Sequence, residues 1–193
     1  EVGTLAALNR CRETEFNPAV VRHNGRIVKL MGDGTLVEFG SVVDGVRCAV
    51  EIQEALKTRN ESLPEAQRML FRIGINLGEV VVKGADLLGD GVNVAARLQS
   101  IAPPGGILVS SSVYDQITGK LDLSIQDIGE QALKNISRPI RVYRISRGPS
   151  SSIPTVPQRK IRASTRWALG IAAAASAAAV ATGIAWQAGW LRS

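Results

Sequence analysis

The sequence has few of the residues that build metal clusters and disulfide frameworks. Among its 193 residues there is one histidine, His23, and there are two cysteines, Cys11 and Cys48. A lone histidine favours a surface side chain over a metal ligand, because histidine-based metal sites need several ligands. Both cysteines stand among apolar residues of predicted helices. This position favours buried, reduced thiols in a cytosolic domain.

Acidic residues are absent from the last quarter of the chain. Residues 147–193 carry six arginines and lysines and no aspartate or glutamate, whereas residues 1–146 carry 17 residues of each sign. The net charge of +6 therefore comes entirely from the tail. Because the remainder is neutral, the sequence does not predict a basic face that binds nucleic acid.

Charged residues of either sign are missing from residues 167–190. This stretch is long enough for a transmembrane helix, which needs about 20 residues, and tryptophans lie near both of its ends. The preceding segment, 147–166, is rich in serine, proline and basic residues and is predicted to be a linker. Basic residues at this position place the preceding domain on the cytoplasmic side of a membrane. A single-pass membrane helix at 167–190 is therefore favoured over a soluble alanine-rich helix.

A β-hairpin is predicted in the first third of the chain. Two apolar runs, 27–31 and 35–39, flank a Gly-Asp-Gly sequence. Their residue types fit a pleated, half-buried surface, and Asp-Gly between such runs is a strong hairpin signal. Asp33 would lie at the tip and Lys29 on the first strand. On this pattern alone, Asp33 is either an ordinary turn residue or part of a site formed with polar residues further along.

The remaining pattern predicts an α+β sandwich with helices on a mixed sheet. Helices are predicted over 3–24 with a break at Asn17-Pro18, over 41–59 with Ser41 as N-cap, over 90–101 and over 112–118; strands are predicted over 70–83 in two pieces, 107–110, 121–133 and 140–146. Such a fold is expected to have a central strand before its first helix. No strand precedes residue 3, and the chain starts with Glu1, so we expect the natural start to lie upstream.

A second polar cluster occupies residues 86–97. Asn93 and Arg97 are four residues apart on a predicted helix and therefore share a face, and Asp86 precedes them in a predicted acidic loop. Alone, the pair is equally well explained as an exposed polar pair. With Asp33 it forms a set suited to a metal-bound phosphate, because Mg²⁺ prefers carboxylate and phosphate oxygens and arginine stabilises phosphoryl charge.

Three segments occur in a characteristic order: G-R-I-V-K-L-M-G-D-G-T-L-V-E-F at 25–39, F-R-I-G-I-N-L-G-E-V at 71–80 and G-D-G-V-N-V-A-A-R-L at 89–98. Together they resemble the class III nucleotide cyclase catalytic domain, of the bacterial adenylate cyclase type. The resemblance covers residues 3–146. It implies a catalytic domain at 1–146 with a ferredoxin-like cyclase sandwich that lacks its first strand.

The resemblance implies roles for individual residues. Asp33 matches one of two carboxylates that bind two Mg²⁺ or Mn²⁺ ions. Lys29 and Asp86 match the pair that recognises adenine, which implies ATP as substrate and disfavours a guanylate cyclase. Asn93 matches the residue that orients the ribose, and Arg97 matches the residue that stabilises the pentavalent phosphorus.

Lys134 matches a triphosphate-binding lysine, although an ordinary exposed lysine explains it about equally well. The family converts ATP to 3′,5′-cyclic AMP and pyrophosphate at sites between two head-to-tail subunits, so a homodimer is implied. Asp33 would serve one site, and the base, ribose and phosphorus residues of the same chain would serve the other. The family's other metal-binding aspartate belongs to the missing strand. A catalytically impaired regulatory or dimerisation module is therefore the competing hypothesis.

Overall fold

A seven-stranded mixed sheet is the framework of the chain. The structure is a computed structural model that describes the backbone of residues 2–83, 86–147 and 181–189 and the side chains of residues 5–81 and 87–147. The strands are β1 (Gly25–Met31), β2 (Gly34–Phe39), β3 (Leu70–Gly78), β4 (Val81–Lys83), β5 (Asp86–Leu88), β6 (Ile107–Ser110), β7 (Ser124–Gln131), β8 (Ile140–Ser146) and β9 (Ala181–Gly189). The order across the sheet is β1-β2-β9-β3-β6-β8-β7, and β4 and β5 form a separate two-stranded ribbon.

Five α-helices are described, at positions close to those predicted from the sequence. They are α1 (Val2–Cys11), α2 (Asn17–Arg22), α3 (Val42–Glu61), α4 (Asp90–Ile101) and α5 (Ser111–Ile117). A short π-helix, Arg12–Phe16, joins α1 to α2, so the predicted break is confirmed, with Pro18 in the first turn of α2. Ser41 caps α3 as predicted, because its side-chain oxygen accepts a hydrogen bond from the Asp44 amide at 3.3 Å.

Helices cover both faces of the sheet. On one face, Val46 and Ile52 of α3 belong to a buried cluster with Ile73 and Ile75 of β3. On the other face, α4 contributes Val94 and Leu98 to a cluster with Leu108 and Val142; α4 therefore lies opposite α3 across the sheet. β3 and β6 run parallel, whereas β1–β2 and β6–β8 are antiparallel. The predicted α+β fold with a mixed sheet is thus confirmed.

The predicted membrane helix is wrong. Residues 181–189, which lie inside the predicted span, form strand β9, which pairs antiparallel with β2 on one side and with β3 on the other. In the parts of the chain that the structure describes, no helix is long and apolar enough to cross a bilayer. The predicted localisation as a single-pass membrane protein depended on that helix and is therefore also wrong. The physical reason is backbone pairing, because β2 and β3 both offer this segment a full ladder of hydrogen bonds.

Strand β9 lies inside the sheet between β2 and β3, whereas the sequence predicted a central strand before the first helix. The linker predicted at 147–166 lies outside the described residues apart from Arg147, and so do residues 167–180. The boundaries proposed for the linker therefore stay a prediction.

Both cysteines are buried and free, as predicted. Burial raises the pKa of Cys11 to about 11 and that of Cys48 to about 12, so both thiols are protonated at neutral pH. His23 differs from the expected surface residue. Its side chain is only 18% exposed, and its Nε2 lies 2.7 Å from Oε2 of Glu51.

Candidate active site

The β1–β2 hairpin presents Asp33 to solvent. Met31 pairs with Gly34, so the turn has two residues, Gly32 and Asp33. Gly32 has a φ of +61°, and a positive φ at the first central position is typical of a type II′ hairpin turn. Asp33 follows in ordinary backbone geometry and is exposed at the tip, as the sequence predicted.

A buried arginine holds this turn from inside the molecule. Nη2 of Arg12 donates hydrogen bonds to the carbonyl oxygens of Gly32 at 2.9 Å and of Gly34 at 3.4 Å. Arg12 is only 9% exposed. The sequence patterns did not predict a role for Arg12. The available signal was a charged residue between Cys11 and Phe16, two positions that are both buried here.

Lys29 lies on the exposed part of edge strand β1. The ladder between β1 and β2 shifts between Ile27 and Lys29, after which Lys29 pairs with Leu36. Lys29 is exposed. The strand that carries it also contacts β5, which begins with Asp86. The backbone segments of the two predicted base-recognising residues are therefore brought together.

Asp86 lies in a strand and not in the predicted acidic loop. It is the first residue of β5, and its backbone pairs with Lys83 of β4. The prediction of a loop failed because each strand of this ribbon has only three residues, too few to show an alternating pattern. The position of the Asp86 side chain lies outside the described part of the structure.

Helix α4 carries the second group of predicted site residues. Asn93 and Arg97 lie one helical turn apart, Asn93 exposed and Arg97 partly exposed. The helix begins after Gly89, which has no side chain to cap it. Both predicted site residues remain open to a ligand from solvent.

Close packing on β3 fixes the position of α4. A Cβ atom on Gly74 would lie 2.3 Å from the Ala95 carbonyl oxygen and 2.3 Å from the Gln99 amide. No larger residue fits there unless the helix moves, because real Cβ atoms do not approach other atoms so closely. At the other end of the contact, Asn76 donates a hydrogen bond to the Gly91 carbonyl at 3.1 Å. The backbone that carries Asn93 is thus held within its first turn.

Lys134 is exposed in the turn between β7 and β8. The preceding residue, Leu133, is buried and belongs to the same cluster as Val94 and Leu98 of α4. Lys134 therefore follows directly on a residue packed at the α4 face. Its role in triphosphate binding stays a prediction.

The structure holds one carboxylate where a metal ion was predicted. Among the residues whose side chains are described, no group of three or more histidine, cysteine, aspartate or glutamate residues could hold a metal ion. Asp33 fits Mg²⁺ or Mn²⁺ only as one ligand among several. This donor set suits a nucleotide site, because Mg²⁺ is commonly bound through one or two carboxylates, substrate phosphates and water.

A cavity of about 500 Å³ lies elsewhere, between α3 and the ends of β6 and β8. None of the predicted site residues lines it. The predicted chemistry is therefore on exposed surfaces, the hairpin tip and α4, and not in this cavity.

Comparison with known proteins gives one consistent family. A model described as the adenylate and guanylate cyclase catalytic domain matches residues 4–147. A protein of Rhizobium meliloti named putative adenylate cyclase 3 is 44% identical over 128 residues, which are 66% of this chain and 22% of that protein. The chain therefore spans only about a fifth of the length of this relative.

Solved structures agree with this family. The crystal structure of an adenylate/guanylate cyclase/hydrolase from Silicibacter pomeroyi matches with a TM-score of 0.72 and 41% identity, over 75% of this chain and 86% of that one. The catalytic core of a rhodopsin-guanylyl cyclase with converted specificity, in complex with ATPαS, matches with a TM-score of 0.59 and 27% identity, over 74% and 82% of the two chains. The resemblance predicted from three sequence motifs is thereby confirmed. This chain belongs to the adenylate and guanylate cyclase catalytic domain family.

Proposed function

We propose that the chain is the catalytic domain of an adenylate cyclase, which converts ATP to 3′,5′-cyclic AMP and pyrophosphate. The observation that carries the proposal is the exposure of Asp33 on a braced hairpin tip and of Asn93 on a braced helix within a cyclase fold. ATP is favoured by Lys29 and Asp86, whose strands are in contact, and by the name of the 44% identical relative. The same two residue types disfavour GTP.

The reaction is an internal displacement at the α-phosphorus. The ribose 3′-oxygen attacks the phosphorus, the bond to the oxygen that bridges to the β-phosphate breaks, and pyrophosphate leaves. The 3′-hydroxyl proton is released. Metal ions, when bound, lower the pKa of that hydroxyl and neutralise triphosphate charge, and Asp33 would hold them together with the phosphates.

The chain's own side chains bind and orient the substrate. Asn93 positions the ribose so that its 3′-oxygen faces the phosphorus, and positioning of this kind supplies much of an enzyme's rate acceleration. The Arg97 guanidinium donates to the phosphoryl oxygens as negative charge develops on them. Lys134 would bind the triphosphate as a further cation. Lys29 donates to a ring nitrogen of adenine, and the Asp86 carboxylate accepts from the exocyclic amine.

Two protomers are proposed to share each site. The hairpin and the β4–β5 ribbon expose large apolar side chains: Leu30 is 58% exposed, Met31 47%, Val81 65% and Leu88 46%. β1 and β5 are in contact, so the four residues lie on neighbouring elements beside Lys29 and Asp86. Exposed apolar surface of this kind marks interaction sites. A head-to-tail homodimer covers it and brings Asp33 of one protomer to Asn93 and Arg97 of the other.

The alternative function is a regulatory module that binds nucleotide and dimerises without turnover. Strand β9 supports this alternative, because the position beside β2 and β3 is filled by Ala181–Gly189, a segment without a carboxylate. The resemblance implies two metal-binding aspartates. Of these two, the described residues include only Asp33.

A product assay separates the two functions. The purified full chain is incubated with Mn²⁺ and either ATP or GTP, and products are identified by mass spectrometry. We expect cyclic AMP and pyrophosphate in equal amounts from ATP and much less product from GTP. A dimeric protein that binds ATP and yields no cyclic AMP would contradict the enzymatic proposal and favour the regulatory module.

A further inference from the structure

The turn that carries Asp33 is braced by a residue 20 positions earlier in the chain. Arg12 begins the π-helix between α1 and α2, and its Nη2 reaches the carbonyl oxygens of Gly32 and Gly34. These two carbonyls belong to the residues on either side of Asp33. One guanidinium nitrogen therefore contacts the backbone both before and after the predicted metal ligand.

Burying the charged Arg12 side chain costs folding free energy unless its contacts compensate for the lost hydration. Arg12 is only 9% exposed, and among the described side chains no carboxylate forms an ion pair with it. A buried charge that lacks an opposite charge is unfavourable, and hydrogen bonds to backbone carbonyls repay only part of that cost. Packing of the core alone does not explain a buried cation at this position. A role in holding the turn that carries Asp33 does explain it.

The hydrogen bonds restrict how the turn can move. The two-residue turn is exposed at its tip and contains Gly32 at φ +61°. Because glycine has wide conformational freedom, such a turn can change its conformation unless other contacts hold it. By holding the two carbonyls inward, Arg12 limits rotation of the Gly32–Asp33 and Gly34–Thr35 peptide units. The Asp33 side chain itself stays exposed and available to a ligand.

We propose that Arg12 is a positioning residue that holds the Asp33 carboxylate in place for a nucleotide-bound divalent metal ion. Arg12 acts through the backbone of the turn and touches neither metal nor substrate. The inference rests on the proposed function, because it takes Asp33 as a metal ligand. It adds to that function a residue on a different helix, in a part of the chain outside the three cyclase motifs.

The variants are chosen to separate positioning from folding. Arg12→Met keeps most of the side-chain volume and removes both hydrogen bonds. Arg12→Lys keeps the positive charge but loses the planar guanidinium group. Arg26→Met is the matched control, since Arg26 forms an exposed ion pair with Glu38 on the same hairpin. Asp33→Asn measures the contribution of the carboxylate itself.

Binding of Mn²⁺ by the full chain is measured by electron paramagnetic resonance in the presence of 3′-deoxy-ATP, which cannot cyclise. Loss of a residue that orients a metal ligand typically weakens metal binding by 10- to 100-fold, so we expect about tenfold weaker Mn²⁺ binding for Arg12→Met. A smaller loss is expected for Arg12→Lys and none for Arg26→Met. In turnover assays the Mn²⁺ concentration for half-maximal rate should rise, while kcat at saturating Mn²⁺ is retained.

Each outcome has a definite meaning. If Asp33→Asn weakens Mn²⁺ binding and neither Arg12 variant does, the positioning role is wrong and the proposed function stands. If Asp33→Asn has no effect, the metal role of Asp33 fails and the inference fails with it. A lower melting temperature and lower kcat with an unchanged Mn²⁺ requirement would show that Arg12 serves folding only. If Arg12→Met does not fold, Arg12→Lys decides on the same criteria.

Discussion

Asn76 of β3 donates a hydrogen bond from Nδ2 to the backbone carbonyl of Gly91, 3.1 Å away, in the first turn of α4. Asn76 is only 6% exposed. The bond lies inside the contact between β3 and α4, where Gly74 and Gly78 allow the helix to approach closely. The position of Asn93 and Arg97 relative to the sheet therefore depends on a buried side chain of β3.

Replacing Asn76 should impair catalysis beyond its effect on stability. Asn76→Ala removes the side-chain hydrogen bond to the buried Gly91 carbonyl, and such a bond typically contributes about 0.5–1.5 kcal/mol of unfolding free energy. Because α4 can then shift, we expect kcat to fall as well, through displacement of Asn93 and Arg97. Urea unfolding and cyclic AMP formation, measured at a temperature where the variant is folded, test both effects.

Asn60 provides the matched control for Asn76. It is also buried, and its amide exchanges two hydrogen bonds with the backbone of Met69, at 2.7 and 3.0 Å, away from α4. Asn60→Ala removes two buried hydrogen bonds, so it should lose at least as much stability as Asn76→Ala and keep kcat. Equal loss of kcat in the two variants would mean that Asn76 acts only through general stability.

The pair formed by Asp127 and Arg141 should make stability depend on pH in acid. Arg141 donates to Oδ2 of Asp127 from Nε at 2.9 Å, and the Gly129 amide donates to Oδ1 at 2.8 Å. The hydrogen bond from Arg141 lowers the pKa of Asp127 below its usual value. A lowered pKa in the folded state adds stability above the pKa of the unfolded chain, about 3.9, and that stability is lost as the pH falls further.

Asp127→Asn tests this dependence. The variant should be less stable than the wild type at pH 7, and the difference should shrink as the pH drops below about 4. Unfolding by urea at a series of pH values gives the comparison. Because both side chains are largely exposed, the effect should be small and weaker in high salt. A difference that stays constant from pH 7 to pH 3 would contradict the assignment.

Lys29→Glu should reduce the use of ATP. A glutamate at this position places an acceptor where the proposed site needs a donor to an adenine ring nitrogen. Loss of a hydrogen bond to a charged group is worth about 1.5–3 kcal/mol, so kcat/KM for ATP should fall by about 10- to 100-fold. Lys57→Glu, on exposed α3 surface, is the control and should leave kcat/KM unchanged. Unchanged ATP turnover in Lys29→Glu would remove the base-recognition role.

The local elements of the fold could be predicted because their signals are local. The hairpin follows from Asp-Gly between two β-rich runs, and α3 follows from five apolar positions at helical spacing after a serine cap. The family could be recognised for a related reason, since each of the three motifs covers a single local element: the β1–β2 hairpin, strand β3 and helix α4. Asp33 at the hairpin tip and Asn93 and Arg97 on one helix were placed correctly by these rules.

Features that depend on distant pairing could not be predicted. Residues 181–189 read as part of an uncharged, alanine-rich helix, and only the open edges of β2 and β3 turn them into strand β9. Arg12 gave no clear signal for the same reason, because its partners Gly32 and Gly34 lie 20 or more residues away. Short elements were also misjudged, as Asp86 in a three-residue strand shows.

The central claim is that two protomers complete each active site, and mixing two inactive variants tests it most directly. Asp33→Asn and Arg97→Ala should each be nearly inactive alone. In a mixture that has exchanged subunits, half of the dimers pair one of each, and one of their two sites is intact. We predict recovery of about a quarter of wild-type cyclic AMP formation. A mixture with confirmed heterodimers and no activity above that of the separate variants would contradict the account.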